Sequence, residues 1–185
     1  TPRDYNPTGA YRTTFTVPSD WKGEEVFLRF EKVASASFLW VNGQEVGYNE
    51  GAQETAEYNI TPYLKKGRNT LAMMVVKYSD GYYLEGQDYW RLAGIFDDVY
   101  LYATPKTRLF DWYVTTDLDK EYKDADLRIE ATVRSYDEVP VQTPLKVLAV
   151  LSDAEGKTVA ELESQVARFA SGSKSLTLTM TKHIA

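Results

Sequence analysis

Between Tyr78 and Phe96 the chain gathers Tyr78, Tyr82, Tyr83, Tyr89, Trp90 and Phe96 among Asp80, Glu85, Gln87, Asp88 and Arg91, with glycines at 81, 86 and 94. This mixture suits a sugar: the C–H face of a pyranose stacks on an aromatic ring while carboxylates and amides bond its hydroxyls. The segment is too long for a hairpin turn, and long ordered loops on rigid β scaffolds often carry function. Composition alone fits a second role equally, a loop held against its own scaffold by its aromatics, because most aromatic side chains serve packing.

Carboxylates in the same region raise the question of glycoside hydrolysis. A retaining glycosidase needs two carboxyl groups roughly 5–5.5 Å apart across the scissile bond. Glu85 and Asp88 share one loop, but the sequence shows no histidine or other group to support them. Asp97 and Asp98 are adjacent on an expected strand, where neighbouring side chains point to opposite faces. Neither pair is assigned a catalytic role. The single histidine, His183, lies two residues from the end and reads as a solvated tail residue. Histidine-based catalysis is thereby set aside, and the absence of cysteine removes thiolate nucleophiles, disulfides and Cys-based metal sites. No catalytic residue is expected in this chain.

The net charge is −6, from 27 acidic and 21 basic residues, and no Lys/Arg cluster offers a phosphate-binding footprint, so no nucleic-acid partner is expected. The longest apolar runs, Leu71 to Val76 and Val147 to Leu151, fall far short of a membrane span, so no membrane partner is expected either. Thr1-Pro2-Arg3-Asp4 shows neither an initiator Met nor a following apolar stretch, which suggests a piece of something longer. The compartment stays open between cytoplasm and periplasm.

The elements that must position the loop read as period-two strands. Tyr11, Thr13, Phe15 and Val17 alternate with Arg12, Thr14 and Thr16, and Pro18 to Gly23 ends that run. Val26, Leu28 and Phe30 alternate with Phe27 and Arg29. Asn42-Gly43 between two apolar runs predicts a type I′ hairpin, which needs φ > 0 at both central positions. Thr61-Pro62 with Gly67 suggests a short helical turn capped by Thr61. Leu71 to Tyr78 reads as a strand buried on both faces, and Ile95 to Tyr102 as another with Val99 and Leu101 inward.

Thr104-Pro105-Lys106-Thr107 is the expected boundary, and 11 of the 14 tyrosines precede residue 105. Beyond it, Leu127, Ile129, Ala131 and Val133 alternate with Arg128, Glu130, Thr132 and Arg134. Leu145 to Leu151, an Asp153-to-Gly156 turn, Val159 to Val166, and the alternating Leu176, Leu178 and Met180 follow. The rhythm over about 80 residues suggests a small immunoglobulin-type sandwich. The expectation is all-β, two sandwiches in tandem, spanning 1–104 and 105–185.

Four blocks in fixed order carry a family resemblance: Asn6-Pro7-Thr8-Gly9, Leu39 to Tyr48, Ser79 to Arg91, and Gly94-Ile95-Phe96-Asp97-Asp98-Val99. Together they resemble the amino-terminal region of β-galactosidases of glycoside hydrolase family 2. The resemblance implies a jelly-roll, galactose-binding-like sugar-binding domain over 1–104, its amino-terminal part missing, and an immunoglobulin-like β-sandwich over 105–185, its end left open. It places catalysis on a later (β/α)₈ barrel that supplies two glutamates, so the segment alone is expected to be inactive.

By motif, Asn6 and Asp88 look like the residues that reach into that barrel's active site and contact galactose. Asp88 also looks like a sodium ligand whose other ligands come from the barrel. The resemblance implies no cofactor in this segment, leaves sodium and magnesium open to the parent enzyme, and implies a parent that is a homo-oligomer acting on β-galactosides. Departures from the family pattern fall at Gly86, Tyr89 and Asp97, where the family usually carries aspartate, methionine and arginine; Gly86 would loosen the loop. Three further readings stand beside this one: a stand-alone carbohydrate-binding module, a purely structural or oligomerisation domain, and a fragment of a related β-glucuronidase or β-mannosidase.

Overall fold

The structure is a computed structural model that describes residues 4–85, 88 and 90–185. Gly86, Gln87 and Tyr89 of the aromatic loop, and Thr1-Pro2-Arg3 at the start, lie outside the described residues. The chain separates into two compact units that meet in sequence at Thr104 and Pro105.

The first unit holds β1 (Thr8–Thr16), β2 (Glu25–Phe30), β3 (Val33–Ala34), β4 (Ala36–Val41), β5 (Gln44–Asn49), β6 (Ala56–Asn59), β7 (Arg68–Val76), helix α1 (Asp80–Leu84), β8 (Gly94–Ile95) and β9 (Val99–Thr104). Three antiparallel sheets form, with orders β1-β7-β4-β5, β6-β2-β9 and β3-β8. Val26, Leu28 and Phe30 of β2 pack against Leu39 and Val41 of β4, Met73 and Val75 of β7, and Ile60. Two sheets thus close over one apolar core, and burial of these side chains supplies the main driving force.

Several strands differ from their sequence reading for a physical reason. Phe27, expected outward, is as buried as its inward neighbours and stacks on Tyr102 at 5.2 Å between ring centroids. β7 is fully buried only at Asn69, Met73 and Val75; its other face is half covered. The expected strand from Ile95 to Tyr102 breaks at Phe96 to Asp98, where the Phe96 N–H bonds the Lys32 carbonyl and the Asp98 carbonyl accepts from Glu31 N–H. Val99 is consequently exposed, while Leu101 does pack on the core. Tyr11 and Thr13 of β1 are exposed as well, because β1 is the edge of its sheet.

Asn42 and Gly43 take φ values of 54° and 80°, as a type I′ hairpin demands. Asn42 also reaches outward, donating through Nδ2 to the Tyr63 carbonyl and to Asn69 Oδ1 and accepting from Thr70 N–H through Oδ1. A 3₁₀ turn spans Thr61–Tyr63, but its cap is Ile60; the Thr61 hydroxyl instead accepts from Val26 N–H at 2.8 Å.

The second unit contains β10 (Thr107–Leu118), β11 (Ala125–Ser135), β12 (Leu148–Ser152), β13 (Thr158–Glu163) and β14 (Ser175–Ile184). Its sheets run β10-β11-β14 and β12-β13, all antiparallel, around Leu127, Ala131, Ala160, Leu162 and Met180. The expected alternation in β11 and β14 is present: Leu127, Ala131, Val133, Leu178 and Met180 are buried. β10 escaped the sequence reading because it is an edge strand with a register shift between Leu109 and Asp111, and Trp112, Tyr113 and Val114 are all exposed. Among the described residues the chain is all-β apart from one helical and two 3₁₀ turns, and both units are β-sandwiches.

His183 is exposed to solvent, as the sequence suggested, but it belongs to a strand rather than to a loose tail. It sits in β14 opposite Asp126, with Nδ1 2.8 Å from Asp126 Oδ1 and Nε2 3.7 Å from Asp124 Oδ2. The Asp126 hydrogen bond above all, and the nearby Asp124 charge, raise its pKa above the ordinary histidine value.

Two predictions follow from these contacts. A raised folded-state pKa gives stability that is present below the unfolded-state value of about 6.5 and is lost as pH rises through the folded value. The stability difference between the native chain and His183→Gln is therefore larger at pH 5.5 than at pH 8.5 in urea unfolding. Asn69 is fully buried and accepts from Lys65 N–H and Asn42 Nδ2 while donating to the Lys65 and Gly67 carbonyls. Asn69→Ala strands these groups and should cost about 1–3 kcal/mol in the same measurement.

Candidate functional site

The aromatic loop begins where β7 leaves its sheet. The Lys77 N–H bonds the Pro7 carbonyl at 3.0 Å, continuing the β1–β7 ladder by one step. Asn6 then takes over: its Oδ1 accepts from Tyr78 N–H at 2.9 Å and its Nδ2 donates to the Tyr78 carbonyl at 2.8 Å. The side-chain amide mimics a neighbouring strand. It fixes the start of the chain's first block to the residue just before the third.

The Ser35 hydroxyl, buried between the sheets, donates to the Val76 and Lys77 carbonyls and lies 2.7 Å from the Ser79 hydroxyl. The peptide bond before it, Ala34-Ser35, is cis. Ser79 is the N-cap of α1, its hydroxyl accepting from Tyr82 N–H at 3.3 Å.

Helix α1, like β10, is an element the sequence reading missed. Ser79-Asp80, a capping residue followed by an acid, was the available signal, hidden by Gly81 and two tyrosines with weak helix preference. Both ends of α1 are tied to the turn that follows β5. At its start, the Gly81 N–H donates to Glu50 Oε1 at 2.8 Å, and the Tyr48 hydroxyl donates to Glu50 Oε2. At its end, Glu85 Oε2 accepts from Ala52 N–H at 3.0 Å. The Gly81 hydrogen bond above all, with the Tyr48 and Ser79 hydroxyls, holds the Glu50 carboxyl below the usual carboxylate range. Burial, followed by the Glu50 contact, pushes the Tyr48 phenol up to about 12. Glu50 stands in none of the four sequence blocks that point to sugar binding.

The aromatics divide between the two roles left open by the sequence. Tyr78 and Tyr82 meet edge-on at 4.9 Å, Tyr82 and Tyr83 at 5.2 Å, and the Arg91 guanidinium covers the Tyr82 ring at 5.2 Å. These rings hold the loop together. Trp90 is 83% exposed and Leu84 80% exposed, and neither is used for packing. Trp90, Leu92 and Phe96 line a cavity of about 210 Å³ with Lys32, Gln53 and Asp97. A separate groove runs between Pro7, Thr8 and Gly9 on one side and Arg91, Leu92 and Gly94 on the other, so the first, third and fourth sequence blocks share one surface.

Asp88 lies in a turn beyond α1 with its side chain exposed. Glu85 is engaged with Ala52, and Asp97 accepts from the Asp98 N–H at 2.9 Å in a bend rather than a strand, so the expected opposite-face placement of Asp97 and Asp98 does not apply. The most strongly depressed carboxyl, Glu31 at about 2, belongs to a polar cluster away from the loop, bonded first to Arg29 and then to Tyr100 and Thr55. A carboxyl held that firmly ionised is unsuited to act as a general acid. Among the described residues no cluster of three or more His, Cys, Asp or Glu side chains could hold a metal ion, and no helix is long and apolar enough to cross a membrane.

A β-sandwich that presents an anchored aromatic and acidic loop defines a class of sugar-binding domain, and comparison with known proteins gives the family. The model of the glycosyl hydrolases family 2 sugar binding domain matches residues 1–105, and the chain belongs to that family. A beta-galactosidase of Priestia megaterium (strain DSM 319 / IMG 1521) is 41% identical over 183 residues, 99% of this chain and 17% of that protein. A beta-galactosidase of Vibrio cholerae serotype O1 (strain ATCC 39541 / Classical Ogawa 395 / O395) is 42% identical over 163 residues, 88% of this chain and 15% of that protein. The chain thus spans less than a fifth of the length of these relatives.

Among solved structures, a beta-glucuronidase of Bacteroides uniformis superposes with a TM-score of 0.84 at 24% identity, covering 97% of this chain and 22% of that one. A glycosyl hydrolase family 2 member from Bacteroides cellulosilyticus DSM 14838 superposes with a TM-score of 0.76 at 19% identity, covering 96% and 23%. At these identities the likeness shows the fold.

Gly81 is where this local architecture is least tolerant. A Cβ there would stand 2.9 Å from Glu50 Cγ and 3.0 Å from the Glu50 carbonyl oxygen. Gly81→Ala should destabilise the first unit by about 1–3 kcal/mol through overpacking, read by urea unfolding of the chain.

Proposed function

We propose that this chain is the non-catalytic amino-terminal part of a β-galactosidase that hydrolyses terminal β-D-galactosides. In this reading Asn6 and Asp88 contact the galactose in an active site completed by a catalytic barrel outside the chain. The observation that carries it is 41% identity across 99% of the chain to a protein named beta-galactosidase. The anchoring of Asn6 to Tyr78, at the root of the loop that bears Asp88, supports a shared role for the two residues.

The chemistry suits the assignment. An exposed carboxylate at Asp88 accepts hydrogen bonds from sugar hydroxyls, and such charge-assisted bonds are roughly twice as strong as neutral ones. The Asn6 amide has two N–H donors, of which one goes to the Tyr78 carbonyl; the second is the donor we assign to a sugar hydroxyl. Hydrolysis itself would rest with two glutamates of the barrel, one as acid/base and one as nucleophile. A hard carboxylate oxygen also fits sodium, so Asp88 would be one ligand of such an ion, with the remaining ligands supplied from outside the chain.

A galactoside is preferred to a glucuronide because the relatives at 38–44% identity are named beta-galactosidases, whereas the beta-glucuronidase structures stand at 23–24%. In the full-length parent enzyme, Asp88→Ala should lower kcat/KM for an aryl galactoside by about 10- to 100-fold, the loss of one charge-assisted bond to substrate. Wild-type kinetics in that variant, or a parent that cleaves glucuronides and not galactosides, would refute the assignment.

A further inference from the structure

We propose that Glu50 is a positioning residue for the sugar site, the clamp that holds α1 and thereby sets the loop carrying Asp88. The kinetic part of this inference rests on the assignment of Asp88 as a galactose contact; the structural part does not.

Helix α1 has five residues. Helices shorter than about 12–15 residues are marginal in isolation, so the orientation of α1 has to come from contacts with the rest of the fold. Besides the Ser35–Ser79 contact and the stacking of Tyr82, two of those contacts go to one turn. Glu50 holds the first turn of the helix through Gly81 N–H, and Glu85, at the C-cap, is held in return by the backbone N–H of Ala52. Two hydrogen bonds at opposite ends of α1, both to residues 50–52, fix its position along and across the turn. Gly81 is buried directly against Glu50, whose Cγ and carbonyl oxygen occupy the space a larger residue would need. Asp88 follows three residues after Glu85 in the chain, so the end of α1 is the near anchor of the residue assigned to the sugar.

The site calls for a carboxylate in particular. Gly81 N–H and the Tyr48 hydroxyl both donate, one to each oxygen of Glu50. A glutamine keeps its oxygen for Gly81 N–H and can donate its NH₂ to the Tyr48 hydroxyl oxygen, so it retains both contacts in neutral form and loses the charge assistance. Alanine satisfies neither. The series Glu, Gln, Ala therefore grades the clamp without altering any residue assigned to the sugar.

The test has two arms. In the 185-residue chain, amide hydrogen exchange of residues 81–85 and 90–92 is compared for the native protein, Glu50→Gln and Glu50→Ala. The clamp predicts about tenfold faster exchange of this segment in Glu50→Ala, the equivalent of one lost charge-assisted bond, and an intermediate value in Glu50→Gln, while amides of β4 and β7 keep native protection. Unchanged exchange in the segment overturns the proposal, and so does acceleration spread evenly over the strands. Should Glu50→Ala fail to fold, Glu50→Gln alone decides by the same criterion.

In the full-length enzyme, Glu50→Ala should raise KM for an aryl galactoside about tenfold, with Glu50→Gln restoring part of the loss and the melting temperature little changed. KM at the native value overturns the kinetic claim. Asp88→Ala in the same assay separates the two readings: if that variant has native kinetics, the sugar assignment falls, and the exchange arm still decides whether Glu50 clamps the loop.

Discussion

A strand that leaves its sheet must find new partners for every buried backbone group, and the segment from Val76 to Gly81 shows how this fold meets that demand. The Val76 carbonyl is taken by the Ser35 hydroxyl, the Lys77 carbonyl by the same hydroxyl, and Lys77 N–H by Pro7. Asn6 serves both polar groups of Tyr78, and Glu50 receives Gly81 N–H. The partners come from three places in the first unit: the Asn6-Pro7 segment, Ser35 and Glu50. The chain can therefore turn from a strand into a helix at one place only, and the position of the aromatic loop is a consequence of backbone satisfaction rather than of loop sequence alone. Removing any of these partners leaves a buried polar group unpaired, which costs more than the net value of the hydrogen bond it made.

Anchored in this way, the loop separates its aromatics by task. Tyr78, Tyr82 and Arg91 stack into a support, while Trp90, Leu84 and the carboxylate of Asp88 stay at the surface. The polar side chains nearest the anchor are occupied: Glu50 by Gly81 and Tyr48, Glu85 by Ala52, Asp97 by its neighbour's N–H. All three accept a hydrogen bond from a backbone N–H, and Glu50 accepts one from the Tyr48 hydroxyl as well.

Sequence made the all-β nature of the chain plain wherever one face of a strand is buried and the other is not, as in β11 and β14, where alternation survives intact. It identified the Asn42-Gly43 hairpin because only a few residues tolerate positive φ at both positions. It failed where tertiary contacts overrule the local pattern. Phe27 is buried on the face expected to be polar, the strand from Ile95 breaks to bond with residues 31 and 32, and Thr61 gives its hydroxyl to β2 rather than capping its own turn. In the loop, the residue types left sugar binding and packing both open, and the sequence held no sign of α1's two-ended attachment, because Glu50 and Ala52 are remote in the chain from Gly81 and Glu85. Asn6 was visible as part of a motif; its pairing with Tyr78, 72 residues away, was not. His183 is solvated as expected, but its nearness to the terminus hid that β14 runs on to Ile184.

The account holds that the sheets and the Glu50 clamp exist to present Asp88 to a galactose bound by the complete enzyme. A crystal structure of the full-length parent with galactose in its active site tests this most directly. The account predicts the Asp88 carboxylate within about 3 Å of a sugar hydroxyl, with Glu50 still bonded to Gly81 N–H. A galactose enclosed by the barrel alone, with Asp88 turned to solvent or to another domain, would contradict it.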